Sequence, residues 1–338
     1  MSRSPVENSY TVLFPAFADL RLSDQAKKFL DRGGCSILLG ESRQEYVSRE
    51  MSAQRIREER AEHFRAVVDE ARSRAGSVIA AVDQEPGGIC RLHRLVPAFP
   101  PMTDIAALNS TATDDAFAAV ASAAGSLGVN CFLAPILDCV TGDNPWLAGR
   151  TWSTDPTVIA ELSARFIRAV QGQGIAAVAK HFPGYAHLPL DPAVEAASRN
   201  VQDGASFADG FIPFKAAIEA DVEVIMTGLA IVDTFDPEHA AAVSPSVNAL
   251  LKQQLGFAGL VMSDDLDSAA TLRSNSITET AVQALQAGAD LLLIADTGDQ
   301  VAQVADAVTA AVENGILEEQ RLAEAAATVR RLVRRYSL

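Results

Sequence analysis

The sequence predicts an α/β fold, a (β/α)8 barrel of the TIM type built as a single domain. Eight short apolar runs alternate with segments of helical period, and eight is the number of parallel strands that closes such a barrel. The 338 residues leave room for loop insertions beyond the roughly 250 residues of a typical barrel. Charged residues directly follow several of the runs, as they do where the carboxyl ends of parallel strands form a site.

The predicted strands are short apolar runs of the length expected for buried strands. In chain order they comprise residues 10–14, 36–39, 78–82, 131–136, 175–179, 223–226, 259–262 and 289–294. An open, doubly wound sheet is the alternative. No G-x-G-x-x-G follows the first run and no G-x-x-x-x-G-K occurs, so the barrel is preferred.

Helical segments separate the predicted strands. They lie near residues 23–31, 114–127, 155–171, 207–220, 246–255, 278–287 and 300–314, and residues 41–74 hold more than one helix. Ser23 is a suitable N-cap, and Pro156 suits a first turn. Residues 318–338 are predicted to form a closing C-terminal helix, so residues 1–338 are expected to be one domain.

Composition excludes several classes of protein. The 49% content of hydrophobic residues is too high for a disordered chain, and no apolar run approaches the roughly 20 residues that span a bilayer. A net charge of -15 argues against binding to nucleic acid or to an anionic membrane surface. The first residues show no signal-peptide pattern, so a cytoplasmic location is expected. The four cysteines are expected to be free thiols.

The segment GFAGLVMSDDL, residues 256–266, is the clearest candidate for a site. Asp264 and Asp265 follow a buried strand directly, where a carboxylate lies at the mouth of a barrel. Asp265 also suits the N-cap of the next helix, which is the structural alternative. Two adjacent carboxylates favour a functional role for Asp264.

Other strand ends carry charged residues as well. These residues are Asp83, Glu85, Asp138, Lys180 and His181. Carboxylates accept hydrogen bonds from sugar hydroxyls and cations donate to them, so this set suits a polyhydroxylated substrate. No H-E-x-x-H motif predicts a metal site, no G-x-S-x-G motif predicts a serine nucleophile, and no cofactor is indicated.

Several motifs occur in an order that resembles glycoside hydrolase family 3. They are AVDQE at residues 81–85, FLAPILD at 132–138, RTWSTDP at 150–156, KHFPG at 180–184, LGFAGLVMSDDL at 255–266 and AGAD at 287–290. The likeness is to the short, single-domain bacterial β-N-acetylglucosaminidases. It implies a (β/α)8 barrel, a retaining mechanism and Asp264 as the nucleophile. The substrate-binding positions implied are Asp83, Arg91, Arg150, Lys180 and His181.

The loop after the fifth predicted strand departs from the family pattern. The family sequence is K-H-F-P-G-H-G, four residues and then D-S-H, in which the last His is the acid/base. This chain reads KHFPGYAHLPLDPAVE, with Asp191 at the Asp position and Ala193 at the position of the catalytic His. Three explanations stay open. His187 acts instead, oriented by Asp191; Asp191 or Glu195 is itself the acid; or ordinary hydrolysis has been lost.

The leading hypothesis is an enzyme that cleaves a β-linked N-acetylhexosamine or a related amino-sugar or cyclitol conjugate. The alternatives are a sugar-binding protein without catalysis and a non-hydrolytic enzyme of secondary metabolism. The expected partner is a small sugar, without nucleic acid or membrane, and the chain is expected to be a monomer or a homodimer.

Overall fold

The computed structural model describes residues 3–102, 110–201, 204–295 and 300–337. Within them, eight parallel strands close into a barrel surrounded by helices, which confirms the predicted fold class. The barrel strands are β1 (Leu13–Phe17), β2 (Ser36–Leu39), β3 (Ile79–Val82), β4 (Cys131–Phe132), β5 (Ala176–Phe182), β7 (Val224–Thr227), β10 (Leu260–Ser263) and β11 (Leu291–Ile294). Short strands β6 (Arg199–Asn200), β8 (Ile231–Val232) and β9 (Asp236–Ala240) form a separate sheet in the order β6-β8-β9.

The strands follow one another around the ring in chain order. β10 pairs with β7 on one side and with β11 on the other, and β11 pairs with β1, which closes the barrel. Four steps around the ring separate β3 from β10, so these two strands lie opposite each other, and β2 lies next to β3. Side chains that follow β2 and β3 therefore face those that follow β10 across the mouth.

The helices cover the outside of the barrel. The α-helices are Pro5–Thr11, Asp24–Asp31, Arg43–Ser48, Ala53–Glu58, Ala61–Ala75, Ser110–Gly125, Pro156–Gln171, Gly204–Glu219, Pro245–Ala249, Ala269–Leu272, Ile277–Ala287, Gln300–Glu313 and Glu319–Arg335. Ser23 caps the second of them by accepting a hydrogen bond from the Ala26 N–H, as its position predicted. The prediction of one domain over residues 1–338 stays a prediction.

Three predicted strands have clearly different limits in the structure. β4 ends at Phe132 rather than at Ile136, which forms only an isolated bridge with Lys180. Tyr10 lies in the helix Pro5–Thr11, which Ser4 caps and Pro5 begins, so β1 starts three residues later than predicted, at Leu13. β5 continues to Phe182, so Lys180 and His181 lie in the strand rather than in the loop after it.

Alternation along the strands divides the core into two layers. Leu260 and Met262 of β10 belong to the cluster inside the barrel, whereas Val261 belongs to the layer beneath the helices. Leu332 and Tyr336, in and just after the closing helix, join the inner cluster. The helix therefore seals the amino end of the barrel, and the opposite end is left for the site. No helix of the described ranges is long and apolar enough to cross a membrane.

Candidate active site

The mouth of the barrel contains a buried cluster of charged side chains, which we call the paired cluster: Asp83, Glu85, Arg150 and Lys180. Lys180, near the end of β5, places its Nζ 2.8 Å from Asp83 Oδ1 and 2.7 Å from Glu85 Oε1. Arg150 donates two hydrogen bonds to Glu85, at 2.8 and 3.1 Å. Three residues that the resemblance predicts to bind substrate, Asp83, Arg150 and Lys180, therefore lie together with Glu85 in one group of contacts.

Burial and charge act differently on the two carboxylates of this cluster. Burial favours protonation of Glu85, but Arg150 and Lys180 outweigh it and hold its pKa well below the ordinary value. Burial raises the pKa of Asp83 above its ordinary value, even though Lys180 opposes the shift. Glu85 is therefore the anion that binds both Arg150 and Lys180. The negative charge of Asp83 is less completely compensated.

His181 is held by a carboxylate beside it. Asp138 Oδ2 lies 2.9 Å from His181 Nδ1 and accepts the His181 main-chain N–H at 3.0 Å. The ring also packs on Trp146, with 4.4 Å between the ring centroids. Since an ionised carboxylate only accepts hydrogen bonds, Nδ1 carries the proton and Nε2 faces the mouth.

Asp264 continues β10 into the mouth. Its N–H donates to the Thr227 carbonyl at 2.9 Å, and its Oδ1 accepts the Asp265 N–H at 2.8 Å. Its Oδ2 is enclosed, accepts no hydrogen bond from the described residues and lies 3.9 Å from His181 Nε2. The residue is only 8% exposed. A buried carboxylate oxygen without a partner is costly, and such an atom is expected where a ligand is bound.

Two further carboxylates share the mouth, and sequence reasoning missed one of them as a site residue. Glu41 lies two residues beyond the end of β2, and its Oε2 is enclosed without a partner among the described residues. Burial, reinforced by Asp83 and Glu85, raises its pKa to about 8. Burial and the adjacent Asp264 raise the pKa of Asp265 well above its ordinary value. The position of Glu41 after a strand could have indicated a site residue. The residue also begins the charged stretch 41–74, which was interpreted as helical.

Comparison with known proteins identifies the family of the chain. The family model described as "Glycosyl hydrolase family 3 N terminal domain" matches residues 37–332. The chain belongs to glycosyl hydrolase family 3. The suspected family is thereby confirmed.

Curated relatives of this family 3 chain carry the name beta-hexosaminidase. One from Xanthomonas oryzae pv. oryzae is 32% identical over 224 residues, which cover 64% of this chain and 67% of the relative. One from Nitrosomonas eutropha is 30% identical over 260 residues, covering 73% and 74%.

Solved structures of the family share the fold. A β-N-acetylglucosaminidase from Paenibacillus sp. str. FPU-7 superposes with a TM-score of 0.88 at 26% identity, over 99% of this chain and 63% of that one. The chain thus spans less than two thirds of that enzyme. A β-N-acetylhexosaminidase from Beutenbergia cavernae gives a TM-score of 0.84 over 99% and 98% of the two chains, and at 22% identity it shows the fold alone.

Arg91 is placed by the family pattern in the substrate site, but its guanidinium is engaged elsewhere. It binds both oxygens of Glu59 at 2.8 Å each and the Gly40 carbonyl at 2.6 Å, and lies 5.0 Å from the centre of the Phe64 ring. The Arg91 main-chain N–H donates to the Asp83 carbonyl at 2.8 Å. In this structure Arg91 supports the loop that carries Asp83, and a direct contact with substrate stays a prediction.

The divergent loop of this family 3 chain packs across the mouth. The carbonyl oxygens of Pro192 and Ala193 accept hydrogen bonds from the N–H groups of Ala270 and Ala269, at 3.1 and 3.4 Å. The loop after β5 is thus joined to the first residues of the helix Ala269–Leu272, which follows β10. Ala193, which the sequence pattern predicts to stand at the family's acid/base position, lies in this contact.

The structure does not join His187 to Asp191. The half-buried His187 ring packs so closely on Gly142 that a Cβ added there would lie 2.9 Å from its Cγ. Asp191 Oδ1 accepts the Ala193 N–H at 2.9 Å, and no hydrogen bond or ion pair connects Asp191 with His187 in the described chain. Their joint role as proton donor therefore stays a prediction.

The two tryptophans near Arg150 have different surroundings. Trp146 donates to the Tyr46 hydroxyl at 3.1 Å and packs on His181, so it is part of the wall of the site. Trp152 packs edge-on against Phe166 and belongs to the core. Within the described ranges, no group of three or more His, Cys, Asp or Glu side chains is arranged to hold a metal ion.

Proposed function

We propose that the chain is a retaining glycosidase that cleaves a β-linked N-acetylhexosamine or a related amino-sugar or cyclitol conjugate. The observation that carries the proposal is the enclosed, unpartnered Oδ2 of Asp264, which shares the mouth with the paired cluster. A nucleophilic carboxylate needs an oxygen that no protein donor occupies. The names of the family 3 relatives supply the class of sugar.

In the proposed mechanism the paired cluster binds the sugar ring. Asp83 accepts hydrogen bonds from ring hydroxyls, and Lys180 and Arg150 donate to hydroxyls or to an acyl oxygen. Asp264 Oδ2 attacks the anomeric carbon, the bond to the leaving group breaks, and a glycosyl-enzyme forms. Water then attacks the same carbon and gives its proton to the acid/base that protonated the leaving group, and Asp264 departs with the electron pair.

The proton donor in this proposal is His187, which follows the KHFPG motif in the stretch that departs from the family pattern. A retaining pair has its two groups about 5 to 5.5 Å apart in carboxylate enzymes, which leaves no space for an intervening water. An imidazole can both donate and accept a proton, and Asp191 is the residue proposed to orient it.

Turnover of an aryl glycoside tests the nucleophile. A 2,4-dinitrophenyl β-N-acetylglucosaminide needs little protonation of its leaving group, so Asp264 alone should cleave it. Asp264→Asn is expected to lower kcat/KM by about 10⁴-fold, whereas Asp69→Asn, which removes a carboxylate from an exposed helix position, should have no effect. Equal rates for wild type and Asp264→Asn would contradict the proposal.

Ala193 favours a second candidate, a sugar-binding protein that has lost turnover. Alanine transfers no proton, and general acid catalysis is typically worth 10² to 10⁴-fold in rate. If wild type and Asp264→Asn both bind N-acetylglucosamine but neither cleaves the dinitrophenyl glycoside, this second candidate replaces the first.

A further inference from the structure

The paired cluster is balanced in charge without a ligand. Lys180 and Arg150 are the cations, and Asp83 and Glu85 are the anions that they contact. Two positive charges therefore meet two negative ones within 2.8 Å. A neutral sugar adds hydrogen bonds to this cluster and requires no change in its charge.

Two of the neighbouring arginines, Arg55 and Arg91, are balanced as well. Arg91 pairs with Glu59 at 2.8 Å, and Arg55 bridges Glu45 at 2.9 Å and Glu59 at 2.7 Å. These two arginines are thus neutralised by two glutamates. Arg49, the other described arginine near the mouth, donates to main-chain carbonyl oxygens, including that of Trp146 at 3.0 Å. None of these arginines forms an ion pair with Glu41.

Asp138 is bound to His181. Three other carboxylates at the mouth have no such close partner among the described residues, and we call them the unpaired carboxylates: Glu41, Asp264 and Asp265. None of them forms an ion pair with a Lys or Arg of the described chain, and the His181 contact with Asp264 is long, at 3.9 Å. Glu41 Oε2 and Asp264 Oδ2 are both enclosed atoms without a hydrogen-bond donor. Enclosed anions of this kind destabilise the empty site unless a proton or a cation compensates them.

The order of the strands fixes the direction in which a sugar would meet these groups. Glu41 and Asp83 follow β2 and β3, and β3 lies opposite β10, which carries Asp264. If the anomeric carbon lies at Asp264, as the proposed function requires, the far edge of the ring faces Glu41. Asp265 also lies within electrostatic range of Glu41.

We propose that the substrate carries an ammonium group on the edge of the sugar ring remote from the anomeric carbon, and that Glu41 is its partner. This inference rests on the proposed function for the position of the anomeric carbon. An ammonium donates up to three charge-assisted hydrogen bonds, and it supplies the positive charge that the unpaired carboxylates lack. Glu41 would thus determine specificity for a cationic amino sugar over a neutral one.

Proton release provides a second signature. Glu41 faces Asp83, Glu85 and Asp265 as negative groups and Arg91 and Lys180 as positive ones, and burial raises its pKa to about 8. In the empty site it is therefore mostly protonated at neutral pH. Binding of an ammonium group ionises Glu41, so about one proton is released to the buffer.

Isothermal titration calorimetry of the full chain tests the inference with four probes: D-glucose and its 2-amino, 3-amino and 4-amino deoxy analogues. The 3-amino or the 4-amino sugar is expected to bind at least about tenfold more tightly than glucose. Titrations near pH 7 in buffers of different ionisation enthalpy should show the release of about one proton. Equal affinities for all four sugars, or a preference for the 2-amino sugar alone, would overturn the proposal.

The Glu41→Gln variant assigns the preference to its residue. It should abolish both the tenfold preference and the proton release, whereas Glu62→Gln, which removes the same charge from the exposed face of the helix Ala61–Ala75, should retain both. An undiminished preference in Glu41→Gln would contradict the assignment. If Glu41→Gln does not fold, the ranking of the four sugars and the proton count on the wild type decide.

The outcomes separate this inference from the proposed function. Cleavage of the dinitrophenyl glycoside by wild type, lost in Asp264→Asn, together with equal binding of neutral and amino sugars, would remove only the ammonium site. An amino-sugar preference lost in Glu41→Gln, in a chain that cleaves no glycoside, would remove the glycosidase and leave the ammonium site standing.

Discussion

The paired cluster and the unpaired carboxylates occupy the same mouth but are built in opposite ways. In the first, Glu85 is held by Lys180 and Arg150 at 2.7 to 2.8 Å, so its charge is compensated in the empty protein. In the second, Glu41 and Asp264 each keep one enclosed oxygen to which no described residue donates a hydrogen bond. The first arrangement fixes geometry before a ligand arrives, whereas the second depends on a ligand or a proton to compensate it. Rigidity and reactivity are thus assigned to separate residues.

The largest expected effect is a difference in stability between the two groups. Glu85→Gln leaves Lys180 and Arg150 without their shared anion and should lower the free energy of unfolding by about 3 kcal/mol. Asp264→Asn keeps the hydrogen bond from the Asp265 N–H and removes a repulsion, so stability should change by less than about 1 kcal/mol or increase. Urea denaturation followed by tryptophan fluorescence measures both. Equal losses in the free energy of unfolding for the two variants would contradict this difference between the paired cluster and the unpaired carboxylates.

A second prediction concerns the loop that crosses the mouth. If His187 is the proton donor, His187→Ala should slow an alkyl glycoside by about 10²-fold and leave the dinitrophenyl glycoside nearly unaffected. The measurement is kcat/KM for a series of leaving groups. His63→Ala, at an exposed position of the helix Ala61–Ala75, is the matched control. A uniform reduction across the series would remove His187 from the role.

The third prediction concerns how Glu41, one of the unpaired carboxylates, makes the stability of the protein depend on pH. The folded pKa of Glu41 is about 8 against an ordinary 4.5, so the folded chain binds the proton more tightly than the unfolded chain. The resulting stability is fully present below the ordinary value and is lost as pH rises through the folded one. From about pH 5 to pH 8, wild type should lose on the order of 3 kcal/mol more than Glu41→Gln. Parallel pH profiles for the two proteins would contradict this.

The smallest effect is expected at Tyr185, which occupies a position where the family has a histidine. Its buried hydroxyl donates to the Ala230 carbonyl and accepts the Ala230 N–H, both at 3.3 Å. Tyr185→Phe removes these two long hydrogen bonds and should cost about 1 kcal/mol of stability without altering turnover. A loss of turnover would show that Tyr185 belongs to the reactive part of the mouth.

The sequence was sufficient for the barrel because strand and helix periods are local. Residues 36–39 were predicted as a strand and form β2 with the same limits. The convergence of Asp83, Lys180 and Asp264 on one mouth followed from a general property of parallel barrels. It needed no knowledge of individual contacts.

The partners within the mouth were beyond sequence reasoning because they depend on distant segments. No local pattern indicates that Arg91 would bind Glu59. Nor does one indicate that Glu85 would bind two cations while Glu41 pairs with no described Lys or Arg. Glu41 shows the difficulty most clearly. Its place after a strand favours a site, but its place before a charged helical stretch is equally typical of a solvent-exposed residue.

The two hydrogen bonds between the segments after β5 and β10 can show how often the entrance of the barrel opens. The amide hydrogens of Ala269 and Ala270 are held by the carbonyls of Ala193 and Pro192 only while the two loops are in contact. Any movement that admits a bulky aglycone breaks these bonds and exposes the two amides to solvent. Their deuterium uptake, compared between the free and the sugar-bound protein, therefore measures how often the entrance opens.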